Sequence, residues 1–367
     1  MRSLSEALRV ISALGLAASA ITGVAGCKSN EPPAPPALSA QSDSSIDPMQ
    51  FVDPELREVL VKFNKAVPPG GLDRLTVDML PMARASAERR AQPLLPEPMP
   101  QERVVPGIQG SPDVHIYLLG VKPGEARPAI LYIHGGGFIL GSAKGSLVNA
   151  QQIALKHSCV VVSVEYRLAP DAPFPGSLDD NYAALKWLYD HWEELGVDRT
   201  RIAVMGESSG GGHAAMLAIA ARDRGEIPLK QQILVYPMLD DRTGNTSDVQ
   251  PWMGQFVWTA KINRLGWSSL LGVPAGSASV PAGAVPAREK NLKGLPPTFI
   301  AVGSIDLFAN EDIQYAQRLM NQGIATELYV APGAFHGFDG MAPNSAIAKR
   351  FTAAIDDAIN RAFAVSK

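Results

Sequence analysis

Cysteine is scarce: two occur in 367 residues. A framework of several disulfides is excluded, and no Cys/His cluster has zinc-site spacing. Blocks of like charge are missing too. The formal net charge is −3, from 33 basic and 36 acidic residues with both signs scattered along the chain. That excludes a basic nucleic-acid-binding surface and a solvating acidic tail. There is no internal repeat, no segment that reads as a permanent membrane span, and no G-x-x-x-x-G-K-[ST] phosphate loop.

What is present begins with a leader. Arg2 and Arg9 supply positive charge, and Val10 to Gly26 are apolar and rich in small residues, as in a secretory signal over residues 1–27. Val24-Ala25-Gly26-Cys27 resembles a bacterial lipobox, in which the cysteine is lipidated and becomes the first mature residue. Cys27 is thus the expected membrane anchor of an exported lipoprotein, at the periplasmic face or in the outer membrane. Residues 28–48, dominated by Pro, Ser and Ala, are expected to be a disordered tether. Cys159 opens the apolar run CVVVSV and reads as a small buried hydrophobe.

Hydrophobic residues make up 46% of the chain, enough for a large core. Residues 49–102 read as broken helix, with PELREVLVKFNKA apolar at helical spacing. From residue 103 strands alternate with helices: VHIYLLG, AILYIHGG, CVVVSVEYR, RIAVMG, QQILVYP, PTFIAVG and ATELYV are the strands. Continuous apolar runs are expected where a strand is covered on both faces. The fold class is therefore α/β, with a mostly parallel, doubly wound sheet. Residues 240–295 read as an irregular insertion holding Trp252, Phe256, Trp258 and Trp267, either a pocket wall or a satellite core.

In such a sheet, sites form at the carboxyl ends of strands. Gly206-Glu207-Ser208-Ser209-Gly210 fits G-x-S-x-G between a strand and a helix, the setting of a nucleophile elbow. With Ser208 as nucleophile, glycines stand two residues to either side. With Ser209, Glu207 would occupy the crowded position. Ser208 is therefore the candidate nucleophile, on a strained turn. His134-Gly135-Gly136-Gly137 follows another strand and can present backbone N–H groups to an oxyanion. The expected donors are Gly135, Gly136 and Ser209, with His134 structural. Asp306 and His336 follow later strands in the order Ser, acid, His. Asp312 is the rival acid, set back within a helix. His115 on a strand, His157 and His191 on helices, and His213 beside the elbow read as structural.

HGGGF, YRLAP at Tyr166 to Pro170, GESSGG, GLPPTFIAVGSIDLF and HGF, in this order, resemble the hormone-sensitive-lipase-like α/β-hydrolases, the bacterial carboxylesterases with the HGGG signature. The resemblance covers roughly residues 129–339. It implies an α/β-hydrolase fold and a helical cap built from residues 49–102 and 240–295. It also implies hydrolysis of short- to medium-chain carboxylic esters as small-molecule substrates, no cofactor or metal, and a tendency to dimerise. Amide and lactone hydrolysis use the same triad. A non-catalytic ligand-binding lipoprotein is the alternative from another class, and the presence of His336 argues against it.

Overall fold

The computed structural model describes residues 46–364, apart from 68–70, 89–91, 109 and 248. The expected signal segment, Cys27 and most of the expected tether lie outside the described residues. The tether was expected to reach residue 48, but Pro48–Phe51 already form a 3-10 turn whose Met49 N–H is held 2.9 Å from the Asp47 carboxylate.

The frame is an eight-stranded sheet: β1 (Gln101–Val105), β2 (Val114–Leu119), β3 (Arg127–Ile133), β4 (Val160–Glu165), β5 (Val197–Glu207), β6 (Gln231–Val235), β7 (Thr298–Gly303) and β8 (Thr326–Ala331). Their order is β1-β2-β4-β3-β5-β6-β7-β8. The β1–β2 and β2–β4 pairs are antiparallel and the rest parallel. β1 straddles the boundary expected at residue 102, with Gln101 and Glu102 falling in the segment expected to be helical. Four of its five residues are exposed, so no apolar pattern announces it.

Alternation along the central strands divides two cores. Leu131, Ile133, Val204 and Leu234 point to one face, and Ile130, Tyr132, Ala203 and Ile233 to the other. Helices Gly176–Asp190, Ser209–Arg224 and Ala260–Leu271 cover the first face. Pro54–Ala66, Leu147–His157 and Ala346–Phe363 cover the second. Pro54–Ala66 starts where sequence dictates. Asp53 caps it by accepting from the Glu55 N–H at 2.8 Å, and Pro54 takes the first turn, where its missing N–H costs nothing. Its Leu56, Leu60 and Phe63 form the buried stripe. Each such burial is worth roughly 1.5–3 kcal/mol.

Between β6 and β7 the expected irregular stretch contains the helix Ala260–Leu271. Gly266 inside it weakens the sequence signal, because glycine disfavours helix. Its reason is proximity: a Cβ there would lie 2.5 Å from the Gly137 carbonyl oxygen. The insertion touches the N-terminal helical region. Thr259 Oγ1 bonds the Asp73 carboxylate, and the Phe51 and Trp252 rings stack with centroids 4.7 Å apart.

Candidate active site

Four segments leave the same edge of the sheet: residues 134–137 after β3, Ser208 after β5, Asp306 after β7 and His336 after β8. Parallel pairing of these strands with their neighbours requires this, and the segments converge.

Ser208 joins β5 to the helix Ser209–Arg224 with φ 57° and ψ −125°, a conformation that L residues avoid. Such a residue costs about 1–3 kcal/mol and persists only when its surroundings hold it. The Ser208 N–H donates to Val235 O at 2.9 Å, and its carbonyl accepts from the N–H groups of Gly212 and Met238, each at 3.0 Å. The flanking glycines are steric necessities. A Cβ on Gly206 would meet Gly210 O at 2.1 Å, and one on Gly210 would meet Ile133 O at 2.1 Å.

His336 bridges the other two groups. Its Nδ1 lies 2.8 Å from Asp306 Oδ2 and its Nε2 3.0 Å from Ser208 Oγ. With Nδ1–H given to the carboxylate, Nε2 carries the lone pair that accepts the Ser208 hydroxyl proton. Asp306 is 1% exposed, and its Oδ1 accepts from the Phe308 N–H at 3.0 Å, which fixes the carboxylate. Three rings enclose His336: Tyr236, Phe308 and Trp258, at centroid distances of 4.8, 5.2 and 6.3 Å.

The glycine segment closes on the nucleophile. A Cβ on Gly135 would stand 3.2 Å from Ser208 Cβ, and one on Gly136, where φ is 132°, would strike Leu140 O at 2.0 Å. Among the described residues, the backbone N–H groups of Gly135, Gly136 and Ser209 have no acceptor. His134 has partners other than Ser208 and Asp306. Its Nδ1 donates to Gly135 O at 2.8 Å, its carbonyl accepts from Tyr166 Oη at 2.8 Å, and its ring stacks on Tyr166 at 4.2 Å. Burial lowers its pKa to about 4, so the ring is neutral at pH 7.

The remaining histidines stand apart from the triad. His213 is buried against Phe138 and Tyr166, His157 bonds Asp356 and Asn360, and His115 pairs with Glu102. His191 was expected inside a helix but sits at the junction between Gly176–Asp190 and Trp192–Leu195. Asp312 is fully buried in the helix Ala309–Asn321, and burial, with the nearby Glu311 and Asp306 charges, pushes its pKa well up. His336 bonds Asp306 and not Asp312. Cys159 is buried, and burial pushes its thiol up to about 12.

One part of the site was not legible in the sequence. Tyr132 Oη donates to Glu207 Oε1 at 3.1 Å, and Asp339 shares this enclosed region through the Tyr236 hydroxyl. Burial, then the Asp339 charge, raises the Glu207 pKa to about 7. The available signal was position: Glu207 precedes the nucleophile and Asp339 follows the histidine by three. Among the described residues, no group of three or more His, Cys, Asp and Glu side chains could hold a metal ion.

This sheet, its elbow and the Ser–His–Asp contact define an α/β-hydrolase, and the family model described as alpha/beta hydrolase fold matches residues 130–340. The chain belongs to this family, in its hormone-sensitive-lipase-like branch. Among its relatives, Esterase LipI of Mycobacterium tuberculosis (strain ATCC 25618 / H37Rv) is 32% identical over 313 residues, which are 82% of this chain and 92% of LipI. Carboxylesterase NlhH of the same strain is 35% identical over 271 residues, covering 71% of this chain and 82% of NlhH. A solved structure described as a bacterial heroin esterase matches with a TM-score of 0.74 at 34% identity, covering 86% of this chain and 99% of that one.

Proposed function

We propose that the protein is a serine carboxylesterase that hydrolyses short- to medium-chain carboxylic esters through an acyl-enzyme on Ser208. The observation that carries this reading is His336, within hydrogen-bond reach of Ser208 on one nitrogen and Asp306 on the other. Relatives named as esterases support it.

In the proposed reaction, Ser208 Oγ attacks the ester carbonyl carbon as its proton passes to His336 Nε2. The N–H groups of Gly135, Gly136 and Ser209 receive the oxyanion, and each donor is worth about 3 kcal/mol in the barrier. Collapse breaks the carbon–alkoxide bond, and His336 returns its proton to the departing alkoxide. Water, deprotonated by His336, then attacks the acyl carbon and releases the acid and Ser208. Asp306 holds the productive tautomer and stabilises the imidazolium. Residues 49–102 and 240–295 together serve as the cap.

The test is a panel of p-nitrophenyl esters with wild type, Ser208→Ala and Ser209→Ala. Hydrolysis is expected to vanish in Ser208→Ala and largely survive in Ser209→Ala. The reverse pattern contradicts the assignment, and an inactive wild type removes the esterase reading.

The proposed setting is export and anchoring through a lipid on Cys27, supported by Val24-Ala25-Gly26-Cys27. Membrane fractionation of wild type against Cys27→Ser tests it, with release of the variant as the expected result. Dimerisation, implied by the family resemblance, is read by light scattering.

A further inference from the structure

The insertion between β6 and β7 sends one aromatic ring onto the reacting groups. Trp258 is 1% exposed. A Cβ on Gly137, where φ is 63°, would lie 2.0 Å from Trp258 Cη2 and 2.5 Å from Cζ2. The ring is therefore seated on the glycine segment that carries Gly135 and Gly136. Its centroid is 6.3 Å from that of His336. Tyr236 and Phe308, the other rings around His336, come from the segments that follow core strands β6 and β7.

The backbone that delivers Trp258 is strained. Val257 has φ 63°, and the Trp258 N–H donates to Phe256 O at 2.7 Å, closing a three-residue turn around it. Positive φ at the centre of such a turn is the rare, unfavourable form, and for a β-branched residue it is an outlier. Strain of this kind survives only where neighbours impose it. Here Trp258 Nε1 donates to Asn263 Oδ1 at 3.2 Å, Asn263 Nδ2 donates to Thr243 O at 3.1 Å, and Thr259 Oγ1 bonds Asp73.

We infer that Trp258 is a specificity-determining wall that fills the space beside the carbonyl-binding glycines and restricts the acyl limb of the ester to short chains. This inference rests on the esterase reading and narrows it. The substrate carbonyl oxygen occupies the glycine segment during both acylation and deacylation, whereas the alcohol departs after the first. A ring on Gly137 stands beside the carbonyl-binding segment through both steps, and the limb present in both is the acyl limb. The ring fills the space that even a Cβ on Gly137 would need, so a chain extending that way has to displace the ring. The tied turn at Val257 resists this.

The experiment compares kcat/KM for p-nitrophenyl acetate, butyrate and octanoate with the full chain, Trp258→Leu and Trp258→Phe. Apolar pockets discriminate by about 10–200-fold per methylene. Wild type is expected to fall about tenfold or more from butyrate to octanoate. Trp258→Leu is expected to raise the octanoate-to-acetate ratio about tenfold or more, and Trp258→Phe less. Ethyl, butyl and octyl acetates, which lengthen the alcohol, are expected to keep the same relative rates in wild type and in the variants. A flat wild-type profile, an unmoved acyl ratio in a folded variant, or a shift confined to the alcohol series overturns the inference. If Trp258→Leu does not fold, the wild-type profile and Trp258→Phe decide. Failure to hydrolyse any ester removes the esterase reading and the wall with it. Hydrolysis of acetate with an unmoved ratio removes the wall alone.

Discussion

Ser208 Oγ and His336 Nε2 lie 3.0 Å apart across 128 positions of sequence. No local turn brings them together. The contact follows from strands β5 and β8, whose carboxyl ends open on one edge of a parallel sheet. Asp306 enters from the end of β7, between them in the sheet, and completes the line of hydrogen bonds.

That line makes the acid assignment testable. Asp306→Asn keeps the shape but favours the wrong His336 tautomer, so kcat is expected to fall by a factor on the order of 10⁴. Asp312→Asn leaves the His336 contact intact and is expected to retain most activity. Steady-state kinetics of both variants check this, and equal losses contradict the division of roles.

The elbow tolerates no side chain at its flanks. In Gly210→Ala the new Cβ would stand 2.1 Å from Ile133 O, a backbone atom that cannot swing aside. Overpacking of this kind costs about 1–3 kcal/mol or more. Urea unfolding is expected to show a lower midpoint, together with lost ester hydrolysis. An unchanged midpoint contradicts the steric crowding at the turn.

Glu207 introduces a pH dependence of stability. Its pKa is raised to about 7 in the fold, against an ordinary value of 4.5, chiefly by burial. The folded state therefore holds the proton more tightly, and stability drains as pH rises from 4.5 towards 7. Glu207→Gln removes that loss while keeping an acceptor for Tyr132. Its Tm relative to wild type is expected to rise between pH 5 and pH 8, and a constant gap contradicts the assignment.

His213 has the opposite sign. Burial lowers its pKa to about 3, and neither ring nitrogen has a partner among the described residues. The unfolded chain takes up a proton below about 6.5, so stability is present above that value and is lost as pH falls towards 3. His213→Leu removes this contribution. Its Tm advantage over wild type is expected to grow from pH 7 to pH 4. A gap that does not change with pH contradicts it.

The meeting of Ser208, Asp306 and His336 was legible because each follows a recognisable strand, and strand ends are where a parallel sheet gathers its sites. β1 was illegible because its exposed residues carry no apolar period, and only pairing with β2 creates it. The helix Ala260–Leu271 was hidden by Gly266, whose role is tertiary. Trp258 could not be told from ordinary core by composition. Its relation to Gly137 depends on a turn at Val257 that no propensity favours. Glu207 and Asp339 looked like motif neighbours, and their enclosure beside Tyr132 and Tyr236 emerges only when strands β3, β5 and β6 are assembled.

The most direct measurement is covalent. A phosphorylating ester mimic such as diethyl p-nitrophenyl phosphate reacts with an activated serine and stops at the phosphoserine stage. Peptide mass spectrometry after exposure is expected to find the diethylphosphoryl group on Ser208, with loss of esterase activity in proportion to labelling and no labelling of Ser208→Ala or of denatured protein. Labelling of Ser209, or full ester hydrolysis by Ser208→Ala, contradicts Ser208 as the nucleophile.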